Sequence, residues 1–236
     1  MKKHLTFIVA LLVVTLGATA QTINVHMTNG ETVKYSAEEV SYIDFTPDTS
    51  VKPVDLALPS GTLWAPMNIG ASKPEEAGIY VAWGETAEKS EYSWETYTHC
   101  DEGNSWKCHD LGMNIAGTEY DAATANWGSD WQMPTLEQVE ELIANCTMES
   151  VTVNEVKCWK YTGTNGSSIL LPVAGRNIDK ALSSNDYGYY WTATRYEYND
   201  RNAELLYIGG RDTNKSLYQS RYCGFTVRAV RKPQTR

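Results

Sequence analysis

The segment "MPTLEQVEELIANC", residues 133–146, reads as helix, and nearly everything after it reads as strand. Thr135 is a good N-cap, Gln138 completes a Thr-x-x-Gln capping box, and Pro134 fixes the entry. Leu136, Val139, Leu142 and Ile143 share one face at three- and four-residue spacing, which gives the helix a stripe to bury. Glu137, Glu140 and Glu141 are expected to face solvent, with Asn145 as the stop. Downstream, "ESVTVNEVKCWKYTG" has the pattern of a hairpin and "NGSSILLPVAG" that of a turn and a buried strand. "YYWTATRY", "AELLYIGG" and "GFTVRAV" complete the strands, separated by loops rich in Asn, Asp and Gly. One helix among many strands predicts an α+β domain, mostly antiparallel, over 54–231, with a tail at 232–236.

Upstream of the helix the pattern is looser. "VDLALPSGTLWAPMNIGA" mixes one strand with turns, and "GIYVAWGE" (78–85) predicts a second strand. Residues 86–122 are polar, aromatic and irregular, too long for a plain loop, and are expected to be an insertion with its own packing. Residues 21–46 form a small β module: Ile23, Val25 and Met27 alternate with polar residues before an Asn29-Gly30 turn. The strand returns through Thr32–Tyr35, and Tyr42–Phe45 is expected as a third. Residues 47–53 are the linker.

The first twenty residues have the layout of an export signal. A basic start, Lys2-Lys3, precedes an apolar run from Leu5 to Gly17, and Ala18-Thr19-Ala20 offers a small-x-small cleavage site. The run is short for a membrane span, nothing comparable follows, and no Cys precedes Cys100 to receive a lipid. The mature protein is therefore expected to begin at Gln21 and to be exported, to the periplasm, the outer surface or the medium. Loss of Lys2 and Lys3 would move the net charge from −9 to −11. That balance argues against nucleic acid and anionic membranes as partners, since both need a positive field.

Export permits disulfides, and five cysteines leave an odd thiol. "HCDEGNSWKCH" holds Cys100 and Cys108 with His99 and His109 beside them. A disulfide closing a small loop is the plainer expectation. Zinc is the alternative, at a spacing unlike paired metal ligands, and two unpaired thiols are the third. Cys146 and Cys158 are a further candidate pair, and Cys223 is expected as a small buried residue on the last strand.

Catalytic constellations are poorly supported. Glu85, Glu137, Asp186 and Asp200 can each be named as a glycosidase acid, but no spacing singles out a pair. No Gly-x-Ser-x-Gly or glycine-rich phosphate loop occurs. The tyrosines say more: eight of 15 lie between Tyr187 and Tyr222, mixed with Arg and Asn. Tyr with Arg suits sugar stacking and protein interfaces, although a twisted sheet with half-buried Tyr would give the same count. The candidate ligand-binding residues are Arg176, Asn185, Asp186, Tyr187, Tyr196, Tyr198, Asn199, Asp200 and Arg211. Trp127 and Trp131, four apart around Gly128, are expected to be a packing corner rather than a ligand platform.

Several segments in this order resemble the Fibrobacter succinogenes major paralogous domain, a family of exported proteins. They are "DLALPSGTLWAPMNIGAS", "GIYVAWGET", "ATANWGSDWQMPTLEQVEELIANCT", "NGSSILLPVAG", "YYWTATRY" and "GFTVRAV". The matching positions include Trp64, Trp83, Trp127, Trp131, Pro134, Thr135, Trp191, Gly224 and Arg228. The resemblance implies a C-type-lectin-like fold, distantly similar to formylglycine-generating enzymes, with the last strand closing the domain near its beginning. It implies no reaction: those enzymes use a close cysteine pair before the final strand, and only Cys223 stands there. Sugar-binding relatives of the fold use calcium at a Trp-Asn-Asp. Tyr198-Asn199-Asp200 is half of that motif, so calcium is a possible cofactor and otherwise none is expected. The expected function is a non-catalytic module that binds a glycan or a cell-surface protein. The alternatives are an assembly component acting by strand addition and, less favoured, an enzyme of the formylglycine-generating kind.

Overall fold

The computed structural model describes residues 22–26, 32–36, 51–101, 107–183, 186–209 and 215–231. The export signal, the Asn29-Gly30 turn, the third strand at 42–45, linker residues 47–50, Asn185, Arg211 and the tail 232–236 lie outside them. The chain divides into two compact units, 1–49 and 50–236. In the first, β1 (Thr22–His26) pairs antiparallel with β2 (Thr32–Ser36), Thr22 opposite Ser36.

The second unit is mostly antiparallel sheet with few helices. Its ends meet: β3 (Val54–Asp55), β4 (Leu63–Trp64) and β13 (Val230–Arg231) form one sheet in the order β13-β4-β3. The segment before β13 continues as a spine without being a regular strand. Ala65 and Ile69 donate their amides to the carbonyls of Ala229 and Val227, and Val81 and Trp83 donate to those of Phe225 and Arg221. "GIYVAWGE" is thus a correction: its one ladder contact is an isolated bridge, Val81 to Phe225. Its alternation records burial on that spine, because Tyr80, Val81, Ala82 and Trp83 are all buried.

Among the described residues two helices follow, not one. α1 (Ala122–Trp127) is capped by Asp121, and α2 (Leu136–Asn145) by Thr135 with the full capping box. In α2, Val139 and Leu142 are buried as the stripe predicts. Glu141 does not simply face solvent, because its carboxylate accepts from Ser60 N at 2.7 Å and Ser60 Oγ at 2.6 Å. β5 (Thr147–Val153), β6 (Val156–Thr162) and β7 (Ser168–Pro172) form a meander. Its first turn places Asn154 and Glu155 at φ 47° and 68°, as a two-residue turn matching strand twist requires. The cost is offset in part by Asn154 Nδ2 donating to the buried Glu75 at 2.7 Å. β8 (Arg176–Ile178) pairs with β9 (Ala181–Ser183).

A second meander, β10 (Gly188–Arg195), β11 (Asn202–Ile208) and β12 (Lys215–Ser220), packs on α2. Trp191 of β10 sits at the centre of the larger core, its ring 4.3 Å from Phe225. Trp191 Nε1 donates to Val81 O, and Trp83 Nε1 donates to Thr192 O, both at 2.9 Å, so two tryptophans stitch β10 to residues 81–83. A third cluster joins Tyr92, Tyr97 and Cys100 of the irregular stretch to Tyr80 and Ala82, which precede it in the chain. Gly224 is required there: a Cβ would meet the Tyr92 ring at 2.7 Å. Trp131 is buried and its ring meets Trp127 edge-on at 5.4 Å, the geometry of a packing corner.

Candidate functional site

The candidate residues fall at the two ends of one strand. Register places Gly188 opposite Ile208 at one end of β10 and Arg195 opposite Ala203 at the other. Tyr189 and Tyr196 are seven residues apart, roughly 23 Å at the rise of an extended strand. They cannot serve one small ligand together. Arg176, Asp186 and Tyr187 belong to the first end. There Tyr187 stacks on Tyr207 at 5.3 Å, and Arg176 lies over the Tyr189 ring at 5.2 Å. Desolvation raises the Tyr207 phenol to about 12. Asp186 is exposed and pairs with Lys157 at 3.3 Å. This end is a packed aromatic cluster.

Tyr196, Tyr198, Asn199 and Asp200 belong to the second end, where a cavity of about 470 Å³ opens. Arg195, Glu197, Tyr198, Asn199, Asp200 and Arg201 line it. Tyr196 stacks on Tyr218 of β12 at 3.8 Å and 15° and meets Tyr198 edge-on at 5.6 Å. Three rings thus run from the sheet to the rim of the cavity. Tyr198 is 80% exposed and Tyr218 48%, unusual for large rings in a domain with three apolar cores. Desolvation, then a hydrogen bond with Tyr218, raises the Tyr196 phenol. Glu204, opposite Tyr218 in the ladder, is raised by burial and by Glu140.

The turn beneath the cavity is held from within. Asn199 Oδ1 accepts from Arg201 N at 3.0 Å and Arg201 Nε at 3.3 Å, and Arg221 Nη1 donates to Asp200 O at 2.9 Å. The half-motif for calcium therefore has its amide oxygen committed to a guanidinium, whose charge would repel a cation. This donor set does not fit calcium. Among the described residues no three His, Cys, Asp or Glu side chains converge as a metal site. In the sequence Arg195, Arg201 and Tyr218 stand only as part of the Tyr-and-Arg mix between 187 and 222; the five-residue spacing of Tyr196 from Arg201 does not single them out until β11 and β12 fold back.

A second cavity, about 440 Å³, is lined by residues 84–89 with Thr98, His99, Glu119 and Tyr120. Glu85 in its wall is held by Lys89 Nζ at 2.7 Å and by Thr98 N at 2.9 Å. His99 Nε2 donates to Gly84 O at 2.9 Å, and burial lowers its pKa, so it stands neutral.

Cys100 and Cys108 form a disulfide, with His109 turned to Asp101 at 2.9 Å rather than to a metal. Cys146, Cys158 and Cys223 are free and buried, so the Cys146–Cys158 pair is a correction: those two face different surroundings across the β5–β6 hairpin and do not join. Desolvation pushes the Cys158 thiol up to about 11 and the Cys223 thiol up to about 12, which withdraws the reactive thiolate. A thiol-specific reagent on the folded protein should find none of the three reactive within minutes. Denaturation should expose three, and reduction all five. A fast native thiol would contradict the burial.

No family model matches this chain, and no curated protein or solved structure matches it either. Fold and site together define a class: an α+β domain of mostly antiparallel sheets with a polar cavity flanked by exposed tyrosines. Among the described residues no helix is long and apolar enough to cross a membrane.

Proposed function

We propose that this chain is an exported, non-catalytic glycan-binding module of C-type-lectin-like fold, a member of the Fibrobacter succinogenes major paralogous domain family. One observation carries the reading: Tyr198, 80% exposed, stands at the rim of a cavity lined by Arg, Asn, Asp and Glu side chains. The C–H face of a sugar stacks on such a ring, and its hydroxyls need the mixed donors and acceptors behind it. The meeting of β13 with β4 and the capped α2 support the fold assignment. A non-catalytic role is supported by the protonated, buried Cys223, which has no second cysteine nearby in sequence.

The test is a glycan array with the mature protein, with and without calcium, followed by titration calorimetry on any hit. Tyr198→Ala and Tyr218→Ala should each weaken binding roughly fivefold. Tyr198 is 80% exposed, so its variant should keep its thermal stability, whereas the Tyr218 variant also loses the stack on Tyr196, worth about 1 kcal/mol. Blank arrays in both conditions, or full affinity in both variants, would sink the reading.

A further inference from the structure

The same cavity holds an arginine that the fold leaves under-used. Arg195 ends β10, its amide fixed by Met113 O at 2.9 Å, and its side chain is 18% exposed. Nη1 reaches Asp110 only at 3.4 Å, and that carboxylate is 77% exposed. Nη2 points at the Met113 sulfur, a weak acceptor, at 2.9 Å. Nε is buried with no acceptor at all. Enclosed Nε is out of a ligand's reach, so the spare donor capacity of this guanidinium lies at its two terminal nitrogens, one on a long contact and one on a weak acceptor. Arg201 lines the same space.

We propose that the sugar held here carries a carboxylate, and that Arg195, with Arg201 beside it, receives that group. This rests on the glycan reading above. A carboxylate matches the fork of a guanidinium with two parallel hydrogen bonds, and a hydroxyl cannot. Glu197 and Asp200 in the wall do not cancel the effect. Both are exposed, where water and salt screen them, and neither pairs with Arg195. Their oxygens serve as acceptors for the sugar's hydroxyls.

The probes are matched pairs: trigalacturonate against galactotriose, and sialyllactose against lactose, each titrated into the mature protein. At least one acidic member should bind about tenfold or more tighter than its neutral twin. Arg195→Gln should bring that ratio to within about twofold, and Arg195→Lys should restore only part of it. If the glutamine variant folds poorly, methyl-esterified trigalacturonate asks the same question of the wild-type protein, and its affinity should fall to that of the neutral sugar. Neutral sugars bound as tightly as acidic ones overturn this inference and leave the glycan reading standing. If no sugar of either kind binds, both fall.

Discussion

Replacing Arg228 by methionine is expected to cost about 3–5 kcal/mol of stability, read as a lowered urea midpoint. Arg228 is buried, with no carboxylate among its hydrogen-bond partners. Its Nε donates to Asn68 Oδ1 at 2.8 Å, Nη1 to Ala65 O at 3.1 Å and Nη2 to Leu170 O at 2.6 Å. Burial lowers its pKa to about 10, so it remains charged at neutral pH at the expense of its hydration. Two effects then oppose each other. Methionine removes the desolvation cost of the charge, which in some buried ion pairs is enough to stabilise the variant. Here the partners are an amide and two main-chain carbonyls that stay buried and lose their donors, at about 1–3 kcal/mol for each acceptor left unpaired. Three such losses outweigh one recovered desolvation. Lysine keeps the charge but cannot span three acceptors lying in different segments, so Arg228→Lys should fall between the two. A methionine variant within 1 kcal/mol of wild type would show that the carbonyls find other donors.

What was legible in the sequence was local. The capping box of Thr135 and Gln138 lies within four residues, so α2 could be placed from the sequence, and its stripe correctly named Val139 and Leu142. Glu141 was misread because its partner, Ser60, is 81 residues away. α1 was missed for another reason: six residues are too few to show a period, and its cap has no Glu or Gln to complete a box. "GIYVAWGE" looked like a strand because burial on two sides imitates strand alternation, while its hydrogen bonds go to an irregular spine. The tyrosine-rich stretch did contain a cavity, but composition could not show that β10 carries its aromatics to two ends. Only the register of β10 on β11 separates Tyr187 from Tyr198. Arg195 stood in the sequence only as one of the arginines mixed with the tyrosines, because how well an arginine's donors are matched is a property of the folded surroundings alone.

The same logic applies to Asp121, where the expected loss on substitution by alanine is about 3–4 kcal/mol. Its carboxylate is fully buried and accepts from four amides. Oδ1 takes Ala123 N at 2.8 Å and Thr124 N at 3.1 Å, which caps α1. Oδ2 takes Gly117 N at 2.7 Å and Met133 N at 2.9 Å, which ties the loop before α1 to the residue that leads into α2. Alanine removes a cap worth about 1 kcal/mol and leaves two further amides without acceptors. Asparagine separates these roles: its oxygen can still cap α1, but its NH2 then faces the amides of Gly117 and Met133, donor against donor. Asp121→Asn should therefore lose most of what Asp121→Ala loses, despite nearly equal shape. The damage should appear first around Trp131, whose own amide is one turn from α1, as faster hydrogen exchange at Met133 and altered tryptophan fluorescence. Full stability in the asparagine variant would mean that capping α1 is all Asp121 does. The Trp127–Trp131 corner would then be held by its ring contact and by Arg231 over Trp131, not by the carboxylate beneath it.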